Sequence, residues 1–173
     1  MRFVAIDLGD MRTGVAVGDL VTGIAAPVTV IECPIDRAGG NDLLRELVRE
    51  IDDLIGRPPS PPSPPSASPR AALVVGLPLN MDSTEGPRAK LTRAWARRLA
   101  DATGWGVEFV DERLSSRAAD AKLARSGLTY KQKKERRDAI AAAGILQAFL
   151  DQRRAASTPP HSDPYEPTPT DEP

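Results

Sequence analysis

Prolines divide this chain. Of the 17, seven fall in residues 58–69 and six in residues 159–173. Proline has no backbone N–H to donate, so neither stretch can run as a helix or a central strand, and neither carries enough apolar matter to build a core. Both are expected to be disordered, 57–69 as a Pro/Ser-rich insertion and 155–173 as an acidic, Pro-rich tail. What remains, 1–55 with 70–154, is about 140 residues, the size of one hydrophobic core and too few for two. A single domain over residues 1–154 is therefore expected.

Within that unit the apolar pattern switches between strand and helix. Residues 3–8 (FVAIDL) and 14–19 (GVAVGD) are short apolar runs with a turn-sized polar segment between them, a hairpin signature. The β-branched run 27–31 (PVTVI) adds a third strand. Leu43, Leu44, Leu47, Val48, Ile51, Leu54 and Ile55 then recur at helical spacing behind Asn41, a residue suited to an N-cap. Residues 71–76 (AALVVG) read as a buried strand and 87–103 as a helix with Pro87 in its first turn. Residues 107–111 (VEFVD) read as a strand, and 115–125 and 131–154 as helical. Three strands in succession, followed by alternating helix and strand, predict an α/β fold: a mixed five-stranded sheet flanked by helices.

The chain has one histidine, His161 in the Pro-rich tail, and one cysteine, Cys33. A Ser-His-Asp or Cys-His arrangement needs an ordered imidazole and structural zinc needs several Cys or His ligands, so one chain can assemble neither. Any catalysis must rest on carboxylates. No disulfide can form within the chain, which fits a reducing compartment. Asp7, Asp10 and Arg12 interrupt the first apolar run and no stretch is long enough to span a bilayer, so a cytoplasmic location without a membrane partner is expected. The net charge is only −1, yet residues 86–154 carry 16 Lys/Arg against 8 Asp/Glu while 1–56 carry 5 against 10. Such a basic half is either the footprint of a polyanion-binding surface or the solvated faces of amphipathic helices.

Three carboxylate positions stand out. Asp7 shares strand register with Phe3 and Ala5, at the carboxyl end of what reads as a central strand, where open α/β sheets place ligands. The plainer reading is an Asp that shapes the turn at Gly9. Asp111 and Glu112 end the 107–110 strand on opposite faces; only one can join a single site, and position alone does not choose. Asp138 continues the stripe of Ala142, Ile145 and Phe149 on the last helix, so its carboxylate needs a cation, hydrogen bonds or a raised pKa. It either serves a site or sits at the edge of the stripe, paired with Arg137 or another basic neighbour.

Oxygen ligands without His or Cys suit Mg²⁺, with Mn²⁺ as a close substitute. Residues 130–137 place Lys131, Lys133, Lys134, Arg136 and Arg137 immediately before Asp138. That arrangement suits a phosphodiester substrate, where cations hold the backbone and a metal activates water. Tyr130 is the one aromatic in the run, so recognition rests on backbone and shape and not on base stacking.

Four motifs carry a family resemblance: Asp7-Leu-Gly-Asp-Met-Arg12-Thr-Gly14-Val-Ala16; Val75-Gly-Leu-Pro78-Leu-Asn80-Met-Asp82; Asp111-Glu112-Arg113-Leu-Ser115; and Asp138 with Ala141-Ala142 and Ile145-Leu146-Gln147. In order and over most of residues 3–150, they resemble the YqgF family, the RuvC-like pre-16S ribosomal RNA nucleases once described as Holliday-junction resolvases. The resemblance implies an RNase H-like fold and a cytoplasmic nuclease that helps process the 5′ end of the 16S rRNA precursor in ribosome biogenesis. It implies Asp7, Glu112 and Asp138 as the acidic, metal-holding triad, choosing Glu112 over Asp111. Arg12, Asn80, Arg88 and Arg113 become candidates for substrate contact or loop ordering, beside Lys133, Lys134 and Arg137 of the basic run. Asn80 and Asp82 can equally stabilise their own loop through Asx-type hydrogen bonds. Ser83 stands where the family commonly has Gly. Three site carboxylates are evident where the related resolvases use four, which leaves one metal or two open.

The leading expectation is metal-dependent hydrolysis of a phosphodiester bond in precursor rRNA, free or in a ribosomal particle. One alternative is resolution of four-way DNA junctions by the same chemistry, which needs a homodimer with paired sites where the first reading allows a monomer. The other is a non-catalytic RNA-binding assembly factor that keeps the fold without turnover.

Overall fold

The structure, a computed structural model, describes residues 2–58, 71–114 and 130–157, the side chains of 71–72, 114, 130–135 and 157 excepted. The chain opens with three strands, β1 (Arg2–Leu8), β2 (Thr13–Asp19) and β3 (Ile24–Ile31), and continues with α1 (Asn41–Ile55), β4 (Ala71–Leu77), α2 (Pro87–Thr103), β5 (Val107–Asp111) and α3 (Tyr130–Ser157). The helical pattern at 115–125 falls outside the described residues, as do 59–70 and 158–173, the greater part of the two Pro-rich segments.

The sheet has the order β3-β2-β1-β4-β5. β2 pairs antiparallel with both β1 and β3, whereas β4 runs parallel to both β1 and β5. It is the mixed five-stranded sheet expected, and the run 3–8 is indeed its centre. Strand alternation then sorts β1 between two cores. Val4, Ile6 and Leu8 point to the face covered by α1 and α2, where Leu43, Leu47, Ile51, Trp95 and Leu99 are buried with them. Phe3 and Ala5 point to the other face, covered by α3 through Ala142, Ile145, Leu146, Phe149 and Leu150. The rings of Phe3 and Phe149 meet edge to face, centroids 5.0 Å apart, an arrangement the aromatic quadrupole favours.

Two local expectations need correction. β3 begins at Ile24, three residues before the β-branched run, because tertiary contacts replace propensity there. Gln147 of α3 accepts from the Ala25 N–H at 3.2 Å and donates to the Gly23 carbonyl at 2.8 Å. Pro27 is tolerated because β3 is an edge strand whose register shifts opposite Val15 and Ala16. Asn41 is not the N-cap of α1. Gly40 takes that place with φ +80° and no side-chain bond, while Asn41 Oδ1 accepts from Arg98 Nη2 at 2.8 Å and ties α1 to α2. Pro87 does open α2, and α3 runs three residues past its expected end, into the first residues of the presumed tail. Among the described residues no helix is long and apolar enough to cross a membrane.

Candidate active site

The alternation that buries Phe3 and Ala5 against α3 carries one step further to Asp7, so its half-buried carboxylate lies on the α3 side of the sheet. Directly opposite Asp7 in the β1–β2 register is Gly14. A Cβ on Gly14 would lie 1.9 Å from the backbone oxygen of Asp138, so only glycine lets α3 descend this far onto the sheet. That close approach delivers Asp138 to the end of β1.

The same geometry decides between Asp111 and Glu112. Val110 is buried against α3, which turns Asp111 away and returns Glu112 to the α3 side. A Cβ on Gly76 of β4 would lie 2.9 Å from Glu112 Oε1 and 2.6 Å from Ile145 Cδ1, so this glycine leaves the space in which Glu112 lies across β4 toward β1. Asp111 is engaged elsewhere: Arg113 donates to both its oxygens, at 2.6 to 3.0 Å, and holds it below the ordinary carboxylate range.

Electrostatics tie the three carboxylates together. Burial, then the negative charge of Asp138, raises Asp7 to about 6 against the pull of Arg88. Burial and the charge of Asp7 raise Glu112 to about 7, again opposed by Arg88. Arg88 reaches this position from the first turn of α2: it donates through Nη2 to the Leu8 carbonyl at 2.7 Å and pairs through Nη1 with Asp10. It thus fastens the end of β1 to α2 while its charge moderates the acids. The cation beside Asp138 is Arg12, with Nε 3.1 Å from Oδ2, and not the adjacent, exposed Arg137; Arg12 Nη2 also faces Glu32 Oε1 at 3.6 Å.

Arg113 is the clasp of the neighbouring loop. Besides Asp111 it donates to the carbonyls of Asn80 and Met81, at 2.8 and 3.1 Å, and to Ser83 Oγ at 3.1 Å. Asn80 Nδ2 donates to Thr84 Oγ1, and Asp82 Oδ1 accepts from the backbone and hydroxyl of Thr84, so Asn80 and Asp82 close their own loop. Ser83 stands at φ +66°, the left-handed region that only glycine enters without strain. Lys133 and Lys134 lie in the first turns of α3 with side chains outside the described set. Gly14 and Gly76 are the functional positions that the residue-by-residue reading misses; a glycine inside a strand is the available signal.

Among the described residues no three His, Cys, Asp or Glu side chains are gathered closely enough to cage a metal ion. The donor chemistry nevertheless fits one. Asp7, Glu112 and Asp138 offer hard oxygen ligands, and the charge each imposes on its neighbour is what a divalent cation relieves.

The model of the family described as "RuvX: Holliday junction resolvase" matches residues 66–152. A protein of Anaeromyxobacter sp. (strain K) named "Putative pre-16S rRNA nuclease" is 41% identical over 155 residues, 88% of this chain and 98% of the relative. One of the same name from Ruegeria pomeroyi is 39% identical over 150 residues, 86% of this chain and 85% of the relative. Among solved structures, T. thermophilus RuvC in complex with a Holliday junction substrate aligns with a TM-score of 0.53 at 16% identity, covering 89% of this chain and 96% of that one; this is a likeness of fold. With identity at that level over nearly the whole of its relatives, this chain belongs to the YqgF (RuvX) family of RuvC-like pre-16S rRNA nucleases.

Proposed function

We propose that this chain is a metal-dependent nuclease that hydrolyses a phosphodiester bond of precursor 16S rRNA in the cytoplasm, with Asp7, Glu112 and Asp138 holding Mg²⁺ or Mn²⁺. The observation that carries the reading is the raised pair, Asp7 to about 6 and Glu112 to about 7. Two like-charged, half-buried carboxylates at the ends of β1 and β5, on either side of β4, cost the fold stability, and such perturbed groups cluster where chemistry is done. When bound, the cation supplies charge neutralisation, activation of water at neutral pH and stabilisation of the leaving oxygen.

The chain's own residues supply the rest. Asp7 and Glu112 each hold their proton to a higher pH than an ordinary carboxyl, through burial and the repulsion of a neighbouring carboxylate. The charge of Arg88 pulls both acids back toward the ordinary range. The loop clasped by Arg113 lies beside Glu112, while Arg12, Arg137, Lys133 and Lys134 are the basic residues proposed to meet backbone phosphates.

A second reading, resolution of four-way DNA junctions, is favoured by the description of the matching family model, and it needs a homodimer. One experiment separates them. A labelled 16S precursor fragment and a four-way DNA junction are incubated with Mg²⁺, Mn²⁺ or chelator, using wild type and Asp138→Ala. The expected result is metal-dependent RNA cleavage lost in the variant. Junction cleavage alone supports the resolvase, and cleavage of neither favours a non-catalytic assembly factor.

A further inference from the structure

Arg12 lies between two carboxylates at the edge of a cavity. Its Nε lies 3.1 Å from Asp138 Oδ2 and its Nη2 3.6 Å from Glu32 Oε1. The same side chain lines a cavity of about 310 Å³ between the edge strand β3 and the start of α3, with Val28, Val30, Glu32, Arg136 and Ala139 among the residues of its wall. Two guanidiniums thus flank a groove whose wall includes Ala139, the residue after Asp138.

Arg12 holds Asp138 Oδ2 and offsets its charge, so the carboxylate is a poorer ligand for a divalent cation than one without a guanidinium beside it. The charge of Asp138 reaches Asp7, yet among the described residues the carboxylates are not closed into a cage, and Asp138 is engaged with Arg12. A guanidinium is planar and matches two oxygens of a phosphodiester at once.

We infer that the Arg12–Asp138 pair is a latch worked by the substrate's own backbone: a phosphodiester entering the Arg12/Arg136 groove takes the Arg12 guanidinium, and Asp138 turns to join Asp7 and Glu112 as a ligand of the divalent cation. The inference rests on the nuclease reading above and names how substrate and metal are coupled at that site. Arg12 is a positioning residue in this scheme. By thermodynamic reciprocity, nucleic acid tightens metal binding by the factor with which metal tightens nucleic-acid binding, so the cation is held weakly until a phosphate backbone is present.

The test reads metal affinity, not turnover. Mn²⁺ binding is followed by electron paramagnetic resonance, with and without a short phosphorothioate oligoribonucleotide of 16S precursor sequence. The same titration on Asp7→Asn subtracts Mn²⁺ held by the oligonucleotide itself. In wild type the oligonucleotide is expected to tighten Mn²⁺ binding about tenfold, within the usual range of coupling between sites. Arg12→Gln is expected to bind Mn²⁺ about tenfold more tightly than wild type with no oligonucleotide present and to gain little when it is added. Arg12→Lys keeps a cation beside Asp138 and is expected to stay close to wild type in the metal-only titration. A misfolded Arg12→Gln would lose affinity, so a gain identifies the latch, and the wild-type arm needs no variant at all. If Mn²⁺ binding depends on Asp7 but ignores the oligonucleotide, the latch is overturned and the metal site stands. If no Mn²⁺ binds above the Asp7→Asn background, the nuclease reading falls with it.

Discussion

Replacing Asp7 by Asn should stabilise this protein while abolishing its proposed activity. The carboxyl moves from the ordinary 3.8 to about 6 because the folded state buries it beside Asp138. Each decade of lost acidity is worth about 1.4 kcal/mol, so ionised Asp7 costs the fold about 3 kcal/mol at neutral pH. The amide keeps the shape and removes the charge, though its N–H₂ group returns about 1 kcal/mol of that gain where it lacks partners. A net gain of about 2 kcal/mol remains, or about 6 °C in Tm for a unit of this size. The sign with pH follows from the raised value. Below about pH 4 Asp7 is protonated in both the folded and unfolded chain, and the variant has no advantage. Between about pH 4 and 6 the unfolded chain ionises first, wild-type stability falls, and the advantage grows. It grows further to about pH 7, where Glu112, raised in part by the charge of Asp7, also ionises, and is constant beyond. The assay is urea denaturation followed by circular dichroism in chelator at pH 4, 5, 6, 7 and 8. A gain that is equal at pH 4 and pH 8, or absent at pH 8, would refute the reasoning, since either result means that the charge on Asp7 is not what the fold pays for.

Excess Mg²⁺ should narrow the same gap, because a cation that binds only the folded wild type stabilises it by about 2.7 kcal/mol at a hundred times its Kd; a thermal shift in wild type that is missing from Asp7→Asn is the readout. Gly14→Ala drives a methyl into the Asp138 backbone and should cost about 3 kcal/mol or more in urea denaturation, with cleavage lost as α3 is displaced. Ser83→Gly relieves about 1 kcal/mol of left-handed strain but loses the bond from Arg113, so its stability should stay within about 1 kcal/mol of wild type, whereas Ser83→Val should fall measurably below both. Arg113→Ala frees the carbonyls of Asn80 and Met81 and should speed amide exchange in residues 80–84 while leaving the exchange of β1 unchanged.

The fold is legible in this sequence wherever a periodic pattern meets a buried face. Residues 3–8 announce a central strand, and the Phe3, Ala5, Asp7 register already states on which side of it the carboxylate falls. Asp138 is legible for the same reason at helical spacing, as a charge in line with Ala142, Ile145 and Phe149. What escapes is settled by contacts between distant segments. Whether Asp111 or Glu112 enters the site depends on the face taken by Val110, which is fixed only once α3 packs on β5. The partner of Asp138 is Arg12, remote in sequence, and not the adjacent Arg137. The start of β3 is set by a glutamine on α3, and Asn41 is drawn off its cap by Arg98. Gly14 and Gly76 look like indifferent strand residues until a helix backbone and a glutamate side chain are seen to occupy the space where their Cβ atoms would be.

The descent of α3 onto Gly14 also has a bearing on how the protein is made. The ribosome delivers Asp7 early and Glu112 later, but Asp138 comes on the last of the described elements, and it reaches the sheet only when the apolar turns after it, through Leu150, are free to pack. On the nuclease reading, a chain still under synthesis therefore carries two carboxylates of three and cannot cut the RNA of the machine producing it. Completion of α3, the last of the described helices, is what brings the third carboxylate to the sheet.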